Sequence, residues 1–313
     1  MLIATNNELL LLEPSDAPAQ PQVLLDNDHI QAIATNGIWH CAAVTDNRIR
    51  FWLGHTERSL WTSDIAERIK SLCLLATDPA VLIIGTEPPH IFRLSQTENA
   101  ATRMKAFDQL TCRPTWFTPW GGPPAVRSLA LAGATRLYAN VHVGSIMRSD
   151  DAGVSWEPVD DNLEPDVHQV KTTPAAPQRV YANTARGVWV SQDGGDSWEK
   201  SPFPHPVEYG LTIAVHPNDP DCLLATASEE PDYGRDVRAR LFRSDDAGRN
   251  WQHIVNGFPA YSPTNIRTHC VAFDAAGIAW AAVEDRLYTS IDRGTHWQMI
   301  WQAPAKIQQI ACH

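Results

Sequence analysis

The residues able to do chemistry in this chain gather near the starts of short strand-like segments. At those starts stand His29, Arg68, Lys70, Arg127, Asp166, His168, Tyr209, Arg267, His269 and Lys306. Guanidinium and ammonium groups brought to one place favour a carboxylate, a phosphate or a similar anion. Arg127, Lys70 and Arg267 are the first candidates for that role, with Arg68, Lys306 and Tyr209 around them. His168, two residues from Asp166, suits proton transfer, and His269 is a second imidazole of the same kind. Neutral imidazoles converging from separate segments are ligands for Zn, Cu or Fe. His29, His90 and His142 are candidates for such a site, although no close spacing holds any two of them together. Trp116 and Trp120, in the connection Cys112–Pro124, offer flat faces for a ring-shaped ligand.

These side chains share a site only if the segments carrying them converge, and a repeat supplies the convergence. Four phrases fit Ser-x-Asp-x-Gly-x-x-Trp: Ser149–Trp156, Ser191–Trp198, Ser244–Trp251 and Ser290–Trp297. Their starts lie 42, 53 and 46 residues apart, the length of one four-stranded propeller blade. Each phrase follows one strand-like run and precedes another, with two more upstream. Aligning the innermost runs gives VRSLALA from Val126, VHQVKTT from Val167, GLTIAVH from Gly210 and THCVAFD from Thr268. The same pattern recurs without the phrase at Ile30, Ile69 and Ile307, which makes seven. The last run has nothing after it, whereas LIAT, ELLLLE and QVLLD precede the first. The expectation is an all-β, seven-bladed β-propeller, a single domain over residues 1–313, closed by pairing the C-terminal strand with the N-terminal ones. Closure of that kind removes free strand edges.

Residues at equal depth on the seven runs then form rings about an axis. The deep ring, Ile33, Leu72, Leu129, Val170, Ile213, Val271 and Ile310, is wholly apolar and reads as packing. Above it come Gln31, Lys70, Arg127, His168, Leu211, His269 and Gln308, and then a rim of His29, Arg68, Ala125, Asp166, Tyr209, Arg267 and Lys306. The formal net charge is −11, yet these two rings hold five bases, three histidines and one acid. An anionic ligand is one use of that charge. A solvated ring neutralised by Glu87, Glu229, Glu230, Asp232, Glu284 and Asp285 in neighbouring connections is the other.

The eight-residue phrase is the Asp-box, or BNR repeat, and the chain resembles the Asp-box β-propellers over its whole length. It looks like the bacterial YVTN/BNR-like repeat proteins often labelled glycosyl hydrolase, with RPTW before a third blade and DVHQV opening a fourth. That resemblance implies the seven blades and places the box in a peripheral turn, where its Asp, Gly and Trp are structural. Sialidases share the box. Likeness to them would make Arg68, Arg127 and Arg267 a carboxylate-binding triad, and Tyr209 with Glu208 a nucleophile pair; the chain lacks their early Arg-Ile-Pro motif. A second similar group, the photosystem II assembly-factor propellers, implies a protein-interaction scaffold.

Composition narrows the classes. Hydrophobic residues make up 43% and charged ones 19%, as in a soluble globular protein. The acidic balance argues against a nucleic-acid surface. The opening MLIATNNELLLLEP has no basic region, and Asn6, Asn7 and Glu8 cut its apolar run, so two strands are expected rather than a leader or a membrane anchor. Six cysteines with no CxxC spacing are expected as free thiols in a cytoplasmic protein. The sequence thus anticipates a propeller whose basic, histidine-containing mouth binds a small anionic molecule. Acid–base or metal-assisted catalysis there, a protein-binding scaffold and a sialidase-like hydrolase all stay open, and no cofactor is named.

Overall fold

The structure, a computed structural model, describes residues 1–13, 20–45, 48–62, 64–75, 77, 79–159, 161–231 and 236–313. Asp232, and with it Tyr233 of a long connection, lie outside the described residues. Strand follows strand in antiparallel meanders that form seven four-stranded sheets. The innermost strands are Ile30–Thr35, Arg68–Leu75, Val126–Ala132, Val167–Thr172, Tyr209–His216, Val271–Phe273 and Gln309–Ala311, here counted as blades one to seven. Each packs beside the next, and Gln309–Ala311 packs beside Ile30–Thr35, which completes the ring.

Blade seven is built from both chain ends. Gln309–Ala311 pairs with Leu2–Ala4 in the register Leu2↔Ala311, Ile3↔Ile310 and Ala4↔Gln309, and Glu8–Leu11 and Gln22–Asp26 lie outside them. Ile3 and Ile310 are buried against blade six, so the joint is packed as well as hydrogen-bonded. The deep-ring residues all sit in the clusters between blades, where aliphatic side chains from facing sheets interdigitate.

The four Ser-x-Asp-x-Gly-x-x-Trp turns repeat one hydrogen-bond set. The Ser hydroxyl donates to the Asp carboxylate at 2.7–2.9 Å and accepts the Gly amide at 2.7–2.9 Å. The carboxylate also accepts the amide four residues on, at 2.8–2.9 Å. Gly153, Gly195, Gly248 and Gly294 have φ between 89° and 102°, a region closed to side-chain-bearing residues. The Trp then turns inward: Trp198 is buried and donates to the Val159 carbonyl of the preceding blade at 2.8 Å. Composition, spacing and geometry therefore agree that these motifs staple turns.

Blade six departs from the aligned pattern. Its inner strand begins at Val271, three residues later than the sequence places it, because His269 has φ +67° and takes the chain out of the extended region.

The closing joint should carry the cooperativity of the ring. Removing residues 307–313 deletes buried Ile307 and Ile310 and one strand of blade seven. The expected cost is about 3 kcal/mol or more, read as a drop of roughly 5–10 °C in the midpoint of thermal unfolding. An unchanged midpoint would show that the ring does not depend on this joint.

Candidate functional site

An inner strand is the edge of its sheet, so amides facing the channel have no strand to receive them. Five of the inner strands also carry a β-bulge near their start, at Gln31, Lys70, Arg127, His168 and the Leu211–Thr212 step. Side chains answer the exposed amides of the next blade, from the residue after the bulge at Ser128 and Gln169 and from the strand start at Gln309. Ser128 Oγ accepts from Val170 N at 3.0 Å, Gln169 Oε1 from Ile213 N at 2.8 Å, and Gln309 Oε1 from Ile33 N at 3.2 Å. Ser71 Oγ donates to the Val126 carbonyl at 2.8 Å. A bulge aims its extra residue differently from regular pleating, and here the bulge residues include Lys70, Arg127 and His168.

Between blades three and four the mouth holds a compact polar group. His142, in the turn after the strand Arg136–Val141, has Nε2 3.2 Å from Asp166 Oδ1. His168 Nε2 lies 3.2 Å from the same oxygen. The Nδ1 of His168 is 2.5 Å from the Gly210 carbonyl, which can only accept, so this nitrogen carries the proton. Tyr209 Oη stands 3.3 Å from His168 Nε2, and Trp120, 72% exposed, lies across His142 at 4.9 Å between ring centroids. Burial, and secondarily Arg127, lower His142 despite Asp166.

His269 crosses the channel. From blade six its Nδ1 accepts from Gln169 Nε2 of blade four at 3.1 Å, while Nε2 faces the Arg127 carbonyl of blade three at 3.4 Å. Loss of hydration pushes it down to about 3, with Lys171 adding to the shift. Such an imidazole is a neutral strut. Beyond it lies a cavity of about 280 Å³ lined by Lys70, Lys171, Cys73, Cys312 and the aliphatic Ile33, Leu72, Leu129, Val271 and Ile310. Lys171, lowered chiefly by burial, was not among the residues singled out by the sequence. It follows the apolar Val170, and a ring counted by strict alternation passes over it.

The mouth bases divide into two sets. Lys70 pairs with Glu87 at 3.2 Å and Lys306 with Glu284 at 3.0 Å. Glu229 serves Arg240 at 2.7 Å. Acids from the neighbouring connections therefore neutralise part of the ring. Arg68 and Arg267 are exposed. Among the described residues, no carboxylate lies within ion-pair distance of Arg127 and no hydrogen bond engages its guanidinium. Burial is the largest influence on it and disfavours its charge. Tyr209, Asp166 and Glu87 offset this from a distance, and Arg267 opposes them.

Other candidates lie apart. His90 is held by Asp108 at 2.6 Å beside Arg103, and exposed His29 faces the Asn6 carbonyl at 3.3 Å; neither meets His142. The expected His29–His90–His142 grouping is thereby corrected: each belongs to a different blade edge, and His142 joins Asp166 and His168 instead. Trp116 is buried against Phe107 under Arg113, so its face is used by the core. Phe258 is likewise buried, against Trp297 and Tyr288. The six cysteines are free.

A family model described as Sortilin, neurotensin receptor 3 (Sortilin-Vps10) matches residues 144–265. The chain is 26% identical over 203 residues to a probable oligoxyloglucan-reducing end-specific xyloglucanase of Neosartorya fischeri, covering 57% of this chain and 23% of that protein. It spans about a quarter of the length of the curated relatives it matches. An ancestral GH74 enzyme superposes with a TM-score of 0.67 at 16% identity, over 87% of this chain and 38% of that one. YCF48 bound to D1 peptide superposes with a TM-score of 0.63 at 14% identity, over 89% and 84%. These likenesses agree on a β-propeller.

The strut makes a pH-dependent contribution. His269 binds its proton more weakly folded than unfolded, so between about pH 6.5 and 3 the unfolded chain holds more protons and stability is lost as the pH is lowered. Between pH 7 and 4.5 this should cost about 1–2 kcal/mol. Urea midpoints for wild type and His269→Gln, measured at both pH values, isolate the effect: the variant should lose less on acidification. Equal losses would mean that His269 is readily protonated in place.

Proposed function

We propose that the mouth binds a small organic anion, a carboxylate or phosphate, with Arg127 as its principal contact. The observation that carries this reading is Arg127, which stands at a bulge within electrostatic range of Tyr209, Asp166, Glu87 and Arg267 and has no counter-ion at ion-pair distance among the described residues. A buried charge without a partner is costly, and a bound anion removes that cost. Exposed Arg267 and Arg68 at the rim add to the potential that draws an anion in. Lys70, already joined to Glu87, is a second contact that can share its charge. His168 and Asp166 are positioned to hold a proton beside the bound group, and Trp120 flanks it on the outer side. The hydrogen-bond set of the four Ser-x-Asp-x-Gly-x-x-Trp turns supports reading them as Asp-boxes, which puts their aspartates outside the chemistry.

Glycoside hydrolysis is the second reading, favoured by the curated relatives, which are named as xyloglucanases. Exposed Trp120 and Phe117 would suit sugar rings. Glycosidases work through two carboxyl groups flanking the bond. At this mouth Glu87 and Glu284 are committed to lysines, and Asp166 to two imidazoles. Under this reading the purified chain releases reducing ends from xyloglucan, and Asp166→Asn abolishes the release. No release under conditions where a known xyloglucanase is active would exclude it.

Arg127→Met tests the first reading. Without ligand and at low salt, the variant should be more stable than wild type by about 1 kcal/mol, because a half-buried cation without a partner has been replaced by an apolar chain. Citrate and inorganic phosphate should raise the wild-type unfolding temperature by mass action. In Arg127→Met that response should weaken about tenfold or more in concentration. A protein-binding scaffold that uses only its rim would show no stabilisation by either anion, in wild type or in the variant.

A further inference from the structure

We infer that His142, Asp166 and His168 form a binding site for one divalent transition-metal ion, of the Zn²⁺ or Fe²⁺ class, at the mouth between blades three and four. One oxygen carries the argument. Asp166 Oδ1 is buried and has two imidazole Nε2 atoms 3.2 Å away, yet neither is directed at it along a hydrogen-bond axis, so it has no hydrogen-bond partner. A proton shared along either N···O line would need that alignment. A metal ion does not, because it sits off the lines joining its ligands. With bonds of about 2.1 Å at tetrahedral angles, ligand atoms stand about 3.4 Å apart. The two observed separations fall close to that edge length, and all three ligand atoms lie within 4.8 Å of one another.

The tautomer of His168 points the same way. Its Nδ1–H is given to the Gly210 carbonyl, so in the neutral ring Nε2 carries the lone pair, which stands 3.2 Å from the Asp166 oxygen and accepts from Tyr209 Oη at 3.3 Å. A cation bound by Nε2 and the carboxylate would take the place of that long hydrogen bond and give the unpartnered Asp166 oxygen a partner. Donation of the far ring nitrogen to a backbone carbonyl is also how metal-binding histidines are commonly oriented. Two imidazoles and one carboxylate suit Zn²⁺, Fe²⁺ or Co²⁺ rather than the oxygen-seeking Mg²⁺ or Ca²⁺. Three protein ligands leave coordination positions open toward the mouth, where Trp120 covers His142 and Tyr209 approaches His168. The sequence offered no local signal for the set: His142 lies 24 residues before Asp166, on another blade.

The inference stands apart from anion binding, and its test needs no anion. Untagged full-length protein, stripped with a chelator and dialysed, is titrated with Co²⁺ at pH 7.5. One equivalent should bind, with a visible d–d absorption band and quenching of Trp fluorescence. Trp120→Phe should keep the absorption band and lose most of the quenching, which locates the ion beside that ring. His142→Ala and His168→Ala, each checked for an unaltered far-ultraviolet spectrum, should weaken Co²⁺ at least about a hundredfold, since even outer-shell losses cost 10–100-fold. Wild-type protein that shows no d–d band at millimolar Co²⁺ overturns the inference. So does a band that persists in both folded histidine variants, which would place the ion elsewhere. If His168→Ala does not fold, His142→Ala, at a turn, decides alone.

Discussion

The structure depends on how the inner edge of each sheet is satisfied. Seven sheets standing around an axis turn seven strand edges toward one channel, and their amides need acceptors that a fifth strand would otherwise supply. The chain meets the need with side chains: Ser128, Gln169 and Gln309 each accept from the blade that follows. Because these bonds run from blade to blade, they fix the angular spacing of the ring together with the apolar clusters between sheets. Beside Ser128 and Gln169 stand the bulge residues Arg127 and His168. Architecture and candidate chemistry therefore come from adjacent positions on one strand, one binding the neighbouring blade and one standing at the mouth.

That coupling explains why the fold was legible in the sequence. A Ser-x-Asp-x-Gly-x-x-Trp turn uses the backbone requirements of Gly153 or Gly294 and the acceptor geometry of Asp151 or Asp292, which few other residues could replace. The period between such turns then sets blade size. The joining of Leu2–Ala4 to Gln309–Ala311 followed from counting strands, since one blade lacked three and the beginning supplied three.

The site was legible only in part. Arg127, His168 and Asp166 could be placed at one end because strand direction alone decides which end a strand start occupies. What they touch could not be read, since contacts across the mouth join residues far apart in sequence. His269 reaches Gln169 and Arg127 across the channel only because its own φ is positive, which no alignment with the extended runs of other blades reveals. Lys171 escaped notice because the bulge at His168 adds a residue, and alternation counted from the strand start is out of phase beyond it. Tryptophans of the same loop part ways for a simple reason. Trp116 closes the core above Phe107, and Trp120, four residues on, stands in solvent with one contact to the ring of His142.

The mouth combines groups of opposite appetite within a few side chains. Among the described residues no carboxylate lies within ion-pair distance of Arg127, while Asp166, His142 and His168 bring an oxygen and two nitrogens within 4.8 Å of one another. Arg127 is close enough to His142 to depress it, so a metal ion bound there would add positive charge to an already basic place. By Coulomb's law alone the two cations repel, and each weakens the other's case. An anion lying between them reverses that sign, since it is attracted by both and screens one from the other. Binding of anion and metal would then be mutually strengthening, and reciprocally so. The neutral strut His269 beneath them fits the same logic. A protonated imidazole at that depth would put a third positive charge under the site, and burial there keeps the ring uncharged.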